Sequence, residues 1–452
     1  MNMCIMHTIS PAHTHIISST SDADIRLLCA CLPKHVCHHG AGLLRLVSPD
    51  GRFLDPLQSL QDTGLQDGES LCAVAQPETT LQVAATERAF AVWSPGFDRI
   101  VTWGHPHFGG DSSSVQSTLR NVQQVHATKD GAFAAILADG TVVSWGMPDF
   151  GGDSQLVRQK LKHVQHLQAT LYAFAATLAD GTVVTWGSVQ HGGDSHEVED
   201  QLKEVVQISS TGAAFAAIRE DRSVVTWGDA DWGGDSSGVQ DQLRNVQQIK
   251  GSLGAFAALL ADGKVVTWGS PESGGDSSKV SVQLRNVLGI HSADDAFATI
   301  RKDGTVVTWG CPDGGGNSGM VQFELRGVQT ISSSSSAFAA ILENRTVITW
   351  GASDCGGDSS AVQGQLKGVQ SIQGSHGAFA AILADGSVIT WGNPSKGGDS
   401  SKVYTQLRDV RRIQATYAAF AAVLAHGTVV TWGDQSCGGF SDEVHAMIEA
   451  FK

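Results

Sequence analysis

Seven aspartates recur at one position of a repeating segment, and carboxylates in such a series could bind calcium. Each follows a pair of glycines: Asp111, Asp153, Asp194, Asp235, Asp276, Asp358 and Asp399. Calcium loops cluster oxygen ligands at short spacings, whereas these residues lie about 41 positions apart, and Asn317 and Phe440 replace Asp in two copies. The spacing therefore favours a structural role, in which each Asp caps a short helical turn.

A second group of metal-binding residue types lies near the amino terminus. It contains Cys29, Cys31, His35, Cys37, His38 and His39. Structural zinc sites use paired ligands in two separated groups, whereas Cys29 and Cys31 fall on different sides of a predicted helix. The spacing disfavours zinc. Since there is also no nucleophile elbow, phosphate loop or His-Glu metal helix, the sequence predicts no catalytic residue, no metal and no cofactor.

Composition indicates a folded chain that does not bind nucleic acid. The 452 residues carry a formal net charge of -15, and nucleic-acid binding needs clustered Lys and Arg. The eight cysteines form no regular framework, which favours a reducing compartment. Neither a signal peptide nor an apolar stretch approaching the ~18 residues of a membrane helix is evident, so we expect a cytoplasmic or nuclear protein without a membrane partner.

The elements that must position any functional residue are nine copies of one unit. Trp-Gly pairs are spaced by 42 residues once and then by 41 seven times, which marks a repeat architecture. The tryptophans are Trp103, Trp145, Trp186, Trp227, Trp268, Trp309, Trp350, Trp391 and Trp432. An Ala-Phe pair precedes each of them at a nearly constant distance. Residues found in all nine copies are predicted to be scaffold, because catalysis needs one asymmetric site.

Each unit is predicted to contain three strands and one short outer turn. In the fifth copy two apolar runs, 255–260 and 264–269, flank Asp262-Gly263, a dipeptide that supplies the positive φ angles of a two-residue hairpin. Both faces of these strands are apolar, which favours sheets packed between neighbouring sheets. Gly-Gly-Asp and spaced Val and Leu residues follow, which predicts the outer turn before the next unit.

Residues 81–452 number 372, close to nine units, and this bears on whether the repeats close. The chain enters through a first strand at 81–85 and ends on the segment that precedes such a strand in every other unit. A ring would remove the exposed edges that a linear stack leaves. We therefore predict a closed β-propeller of nine three-stranded repeats, with a linear or superhelical solenoid as the alternative.

The repeat resembles that of the regulator of chromosome condensation family. Val-x-x-Ile, an apolar strand, Asp-Gly, Val-Val-Thr-Trp-Gly and a glycine pair carry the resemblance, and the short period is closer still to the propeller-type β-lactamase-inhibitor proteins. The resemblance implies a propeller over nearly all of residues 81–452. Known members resemble one another in having seven blades, so nine units depart from the family.

Residues 1–76 carry none of the repeat and form a separate unit, joined by a linker at 77–80. A hairpin at 3–18, a helix capped by Asp22, a strand at 43–47 and leucines at 54–71 follow in order. The stretch 44–74 is similar to the second half of ubiquitin, with matching spacings. The resemblance implies a small α+β ubiquitin-like β-grasp domain. Because Gln76 runs into Pro77 where ubiquitin ends in Gly-Gly, we expect a fixed domain and not a conjugated modifier.

The ubiquitin resemblance also implies a recognition patch. In ubiquitin an apolar patch on the strands binds receptors, and the matching positions here are Leu46 or Val47, with Cys72 and Val74 on the last strand. The alternative is that these are ordinary strand residues without a receptor.

Binding by the repeats is predicted at the loops that vary. In an antiparallel sheet the loop between the first two strands and the segment after Trp-Gly emerge at the same end, and both vary between copies. The candidate partner-binding residues are His105, His107, Phe108, Phe150, His191, Trp232, Asp313, Lys396 and Tyr417. Variation on a regular scaffold is where specificity can be placed, although neutral drift of surface loops remains the alternative.

Together these features predict a monomeric, non-catalytic interaction scaffold. The propeller is expected to bind a protein partner, and the amino-terminal unit is expected to contact ubiquitin receptors or proteasomal components. The resemblance to the regulator of chromosome condensation family implies the alternative, guanine-nucleotide exchange on a small GTPase.

Overall fold

The chain forms two compact units, Met1–Thr80 and Leu81–Lys452, which are described separately. The computed structural model describes residues 3–10, 13–19, 44–47, 70–75, 81–95, 99–425 and 427–439. Within this described part of the chain, no helix is long and apolar enough to cross a membrane.

The described residues of the amino-terminal unit form a four-stranded mixed sheet. Its strands are β1 (Met3–Ser10), β2 (His13–Ser19), β3 (Leu44–Val47) and β4 (Ser70–Ala75), in the order β2-β1-β4-β3. The central pair β1 and β4 is parallel, while the two outer pairs are antiparallel. The first hairpin and the strands near 43–47 and 71–74 are thus present as predicted. The predicted helix and the Cys29–His39 cluster lie outside the described residues.

The described residues of the second unit form nine three-stranded antiparallel sheets, which confirms the predicted repeat count and its mainly-β class. The first strands are β5 (Gln82–Ala85), β8 (Val122–Ala127), β11 (Val164–Ala169), β14 (Val205–Ser210), β17 (Val246–Gly251), β20 (Val287–Ser292), β23 (Val328–Ser333), β26 (Val369–Gly374) and β29 (Val410–Ala415). The second strands are β6 (Ala89–Trp93), β9 (Ala132–Leu137), β12 (Ala173–Leu178), β15 (Ala214–Arg219), β18 (Ala255–Leu260), β21 (Ala296–Arg301), β24 (Ala337–Leu342), β27 (Ala378–Leu383) and β30 (Ala419–Leu424). The third strands are β7 (Ile100–Gly104), β10 (Val142–Gly146), β13 (Val183–Gly187), β16 (Val224–Gly228), β19 (Val265–Gly269), β22 (Val306–Gly310), β25 (Val347–Gly351), β28 (Val388–Gly392) and β31 (Val429–Gly433).

The core consists of large rings from one sheet packed on alanines of the preceding sheet. Phe215 and Trp227 of the fourth repeat, for example, stack with ring centroids 5.1 Å apart and pack against Ala173 and Ala175 of the third. The phenylalanine at this position is fully buried in all nine repeats. Burial of such a side chain stabilises the fold by about 1.5–3 kcal/mol, so the interfaces between sheets hold the unit together.

Hydrogen bonds join the same neighbours. The indole Nε1 of every repeat tryptophan donates to a glycine carbonyl of the preceding repeat, as from Trp227 to Gly192 at 3.1 Å. The first repeat makes the same bond to the last, because Trp103 donates to the Gly438 carbonyl at 3.1 Å. Phe90 and Trp103 also share a buried cluster with Ala419 and Ala421 of the ninth repeat. The first and ninth sheets therefore contact each other as consecutive sheets do.

The Asp-Gly turns differ from the predicted two-residue hairpin. Gly140 N donates to Leu137 O at 2.9 Å, which places Ala138 and Asp139 in the centre of the turn. Of the predicted pair Asp139 and Gly140, only the glycine has a positive φ, 76°. Oδ1 of Asp139 accepts the backbone N–H of Thr141 at 2.9 Å. The prediction was wrong because the carboxylate holds the backbone beyond it and stabilises a longer turn that ends in a left-handed glycine.

The aspartates after the glycine pair stabilise the start of the outer turns by hydrogen bonds, but from one residue before the predicted capping position, which a serine occupies. Oδ1 of Asp235 accepts the backbone N–H of Ser237 at 2.8 Å, and this bond recurs at Asp111, Asp153, Asp194, Asp276, Asp358 and Asp399. Short 3₁₀ turns follow at Gln155–Val157, His196–Gln201, Ser237–Gln242 and Ser278–Val280. Within the described residues, no group of three or more Asp, Glu, His or Cys is arranged to hold a metal ion.

Candidate protein-binding face

Two loops of each repeat lie together at one end of its sheet. Thr211, in the turn between β14 and β15, donates its hydroxyl to the Trp232 carbonyl at 2.9 Å, and Thr170 donates in the same way to His191. We call the surface formed by these loops the loop face. Its turns are 86–88, 128–131, 170–172, 211–213, 252–254, 293–295, 334–336, 375–377 and 416–418; its segments after Trp-Gly are 105–108, 147–150, 188–191, 229–232, 270–273, 311–314, 352–355, 393–396 and 434–437.

Each segment of the loop face ends in a tight turn before a left-handed glycine. The turns are Pro106–Phe108, Pro148–Phe150, Val189–His191, Ala230–Trp232, Ser353–Cys355, Pro394–Lys396 and Gln435–Cys437, while the turns Pro271–Gly275 and Pro312–Gly316 continue through the left-handed glycine. The residues before that glycine differ between repeats; they are Phe108, Phe150, His191, Trp232, Ser273, Gly314, Cys355, Lys396 and Cys437. Aromatic side chains therefore occupy this position in repeats 1–4 and in no later repeat.

Three rings form a continuous cluster in repeats 2 and 3. Tyr172 lies between Phe150 and His191, with ring centroids 4.4 Å from each. Interaction with the neighbouring Asp130 carboxylate, together with burial, raises the pKa of Tyr172 to about 12. Burial lowers the pKa of His191, while the negative charges of Asp229 and Asp130 act in the opposite direction. We call Phe150, Tyr172 and His191 the aromatic cluster; it lies within electrostatic reach of two carboxylates.

Trp232 lies in the next repeat along and packs over a turn. A side chain at Gly212 would place its Cβ 2.7 Å from Cζ3 of Trp232 and 3.0 Å from Cδ1 of Leu253, so the indole packs closely on this glycine. The Asp229 carboxylate accepts the backbone N–H of Asp231 at 2.9 Å and fixes the turn that carries Trp232. The tryptophan is partly buried, and its position is set by the backbone around it.

The other candidate residues lie in three separate places. In repeat 1, His105 contacts Phe108 edge-on at 5.0 Å and His107 at 5.7 Å, and Arg88 lies 5.0 Å above the Phe108 ring. In repeats 8 and 9, Nζ of Lys396 lies 3.8 Å above the Tyr417 ring, which also stacks on His376. Asp313 is exposed in the turn of repeat 6. The structure thus brings Phe150 and His191 together, and pairs Lys396 with Tyr417.

We call the turn between the first and second strands of each repeat its first turn. Backbone hydrogen bonds connect the first turns of consecutive repeats. Leu171 N donates to Gly212 O at 3.0 Å, Asp294 N to Ser335 O at 2.9 Å, and Tyr417 N to Glu87 O at 2.9 Å. The last of these joins repeat 9 to repeat 1. In addition, Nζ of Lys129 in repeat 2 forms an ion pair with Oδ1 of Asp294 in repeat 6 at 3.3 Å. The turns therefore support one another as a connected series.

The loop face is acidic. It holds eleven carboxylates, Glu87, Asp130, Asp149, Asp229, Asp231, Glu272, Asp294, Asp295, Asp313, Asp354 and Asp434, against three basic residues, Arg88, Lys129 and Lys396. Burial and the neighbouring Asp130 raise the pKa of Glu87. This face thus carries a local excess of negative charge that a positively charged partner would offset.

Tyr172 is a functional candidate that the predicted set lacks, whereas Asp130 and Asp229 belong to the variable loops but were not among the residues singled out. One signal was available: the chain has only three tyrosines, and two of them, Tyr172 and Tyr417, lie in the first turns of the loop face. The predicted patch of the amino-terminal unit lies on β3 and β4, where Val47 pairs with Cys72, Leu46 with Ala73 and Arg45 with Val74.

The chain matches no known protein family and no curated protein. Several solved structures share similarity with it. Yeast RCC1 (Prp20), crystallised bound to Kap60, is 18% identical with a TM-score of 0.35 over 54% of this chain and 74% of that one. Prp20p from Saccharomyces cerevisiae is 15% identical with a TM-score of 0.38 over 70% and 83%. The computationally designed Ika8 protein is 14% identical with a TM-score of 0.35 over 79% and 96%.

Proposed function

We propose that this chain is a non-catalytic protein-binding scaffold whose loop face takes the partner. One observation carries the proposal: nine repeats share the same buried framework, yet aromatic residues occupy the position before the left-handed glycine only in repeats 1–4. Aromatic residues, Trp and Tyr above all, are enriched among the residues that dominate binding energy at protein interfaces. The regular framework holds the turns, and the asymmetric aromatic residues supply the specificity.

We further propose that the nine sheets work as one closed nine-bladed propeller. The bonds from Trp103 to Gly438 and from Tyr417 to Glu87 support this proposal, since both repeat across the first and ninth sheets a bond found between consecutive repeats. Closure would make the loop face continuous and leave no unpartnered sheet at either end.

The amino-terminal unit is proposed to act as a β-grasp module that contacts ubiquitin receptors through Leu46, Val47, Cys72 and Val74. Its parallel β1–β4 pair between two antiparallel pairs supports the β-grasp part of this proposal. Guanine-nucleotide exchange, monomeric state and location in the cytoplasm or nucleus stay predictions.

Affinity purification with matched baits tests the scaffold function. The first bait carries Phe150→Ala and Trp232→Ala on the loop face; the control carries Leu156→Ala and Met320→Ala, which are fully exposed on outer turns. Quantitative mass spectrometry should show a set of proteins that the unmodified chain and the control retain and the loop-face bait loses. Retention of the same proteins by all three baits would contradict the proposal. A bait lacking residues 1–76 assigns each retained protein to one unit.

A further inference from the structure

We propose that the partner presents a lysine- or arginine-rich segment, and that one of its cationic side chains packs on the aromatic cluster between Asp130 and Asp229. The inference rests on the proposed function of the loop face and specifies the chemistry of what binds there. It is carried by the geometry of the cluster, by the use of cations elsewhere on the same face, and by the distribution of charge over the repeats.

The aromatic cluster offers ring surface beside negative charge. Phe150, Tyr172 and His191 are all partly buried, so ring surface remains accessible while each ring is held by its neighbour at 4.4 Å. Asp130 lies close enough to raise the pKa of Tyr172, and both Asp130 and Asp229 lie close enough to act on His191. A cation packed on an aromatic face gains from the quadrupole of the ring, and a nearby carboxylate adds a charge-assisted hydrogen bond.

The same face already holds two cations of this chain on aromatic rings. Arg88 lies over Phe108, and Lys396 lies 3.8 Å above Tyr417. Among the described residues, no lysine or arginine of the chain occupies the corresponding place over Phe150, Tyr172 or Trp232. Within that part of the chain these three rings carry no cation, so each could take one from another molecule.

The charge of the repeats is concentrated on the loop face. Eleven carboxylates stand there against three basic residues, whereas the remaining described residues of the repeats contain 22 Asp and Glu and 22 Lys and Arg. The rest of the unit is thus balanced, and the excess lies where the aromatic cluster lies. Such a field attracts a basic segment and repels an acidic one. A basic partner is accordingly favoured over nucleic acid or an acidic peptide.

Peptide titration with the full chain tests the inference. The probe is a fluorescein-labelled twelve-residue peptide of alternating Lys and Ser, and its neutral counterpart has Gln in place of Lys. The variant Asp130→Asn with Asp229→Asn keeps acceptor oxygens for Tyr172 and for Asp231 N but removes two negative charges. The matched control, Asp200→Asn with Asp241→Asn, removes the same charge from fully exposed outer-turn residues.

We expect the Lys peptide to bind and its affinity to fall as the salt concentration rises. The Asp130→Asn, Asp229→Asn variant should bind this peptide about tenfold more weakly, while the control variant should change the affinity less than about twofold. Equal binding of the Gln peptide, equal losses in the two variants, or no binding of the Lys peptide would each overturn the inference. If proteins that depend on Phe150 and Trp232 are retained in the affinity purification while the Lys peptide fails to bind, the scaffold function stands and only the basic segment is refuted.

Discussion

At the residue scale, Gly233 shows how closely the segments of the loop face approach the next sheet. Its φ is 95°, and a Cβ there would lie 2.7 Å from Cδ2 of Phe256. Both the left-handed backbone and the contact exclude a side chain. We therefore expect Gly233→Ala to lower the free energy of unfolding by about 3 kcal/mol, measured by urea denaturation.

Gly238 provides the matched control for that substitution. It lies five residues further along, on the outer turn of the same repeat, and no heavy atom lies within 4 Å of where its Cβ would be. Gly238→Ala should change the free energy of unfolding by no more than about 0.5 kcal/mol. Similar losses in the two variants would contradict the close approach of Gly233 to Phe256.

The candidate site could be predicted from the sequence only in part. Phe108, Phe150, His191 and Trp232 stand out because they vary beside invariant glycines, and the structure places all four at one position of the loop face. Tyr172 and Asp130 belong to first turns of neighbouring repeats, and their contacts with His191 depend on how repeats 2 and 3 pack. Spacing along the chain carries no information about that packing, so Tyr172 was missed and Asp130 was recognised only as part of a variable loop.

At the element scale, the indole bonds join each sheet to its predecessor. Trp227→Phe keeps an aromatic ring but removes the donor to the Gly192 carbonyl, which is buried. We expect the free energy of unfolding to fall by about 2 kcal/mol, from the unsatisfied carbonyl and the smaller ring. Trp103→Phe should have a similar effect, since it removes the equivalent bond to Gly438.

Trp232→Phe is the control for these two substitutions, because Trp232 is only partly buried and is not one of the tryptophans that bond to the preceding repeat. It should cost no more than about 0.5 kcal/mol. A Trp103→Phe variant as stable as the control, beside a destabilised Trp227→Phe, would show that the first and ninth sheets do not support each other.

The sheets themselves were predictable because their signals are local and repeated nine times. Each repeat contains a run of alanines with one phenylalanine, followed by Val-Val-Thr-Trp-Gly. These two patterns predict two strands that are buried on both faces, and the structure confirms both strands. The hairpin turn was not predictable from Asp-Gly alone. In Ala138-Asp139-Gly140 the preceding alanine joins the turn, because the Asp139 carboxylate bonds to the backbone of Thr141.

At the scale of the whole molecule, the repeats combine a uniform core with one uneven face. Each interface between sheets uses the same rings and alanines, so any repeat could carry a binding residue without change to the core. The aromatic cluster lies in repeats 2 and 3, and the bonds between first turns connect it to the remaining repeats. The loop face is continuous only if the sheet of repeat 9 also packs against the sheet of repeat 1.

Thermal unfolding of a truncated chain tests this closure most directly. Deletion of residues 434–452 removes the buried Cys437 and the Gly438 carbonyl that accepts from Trp103; deletion of 441–452 leaves both in place and serves as the control. A closed ring predicts that the longer deletion lowers the unfolding midpoint by about 10 °C or more and broadens the transition, because it exposes the contact between the first and ninth sheets. A midpoint and cooperativity equal to those of the control would contradict closure and indicate an open stack of repeats.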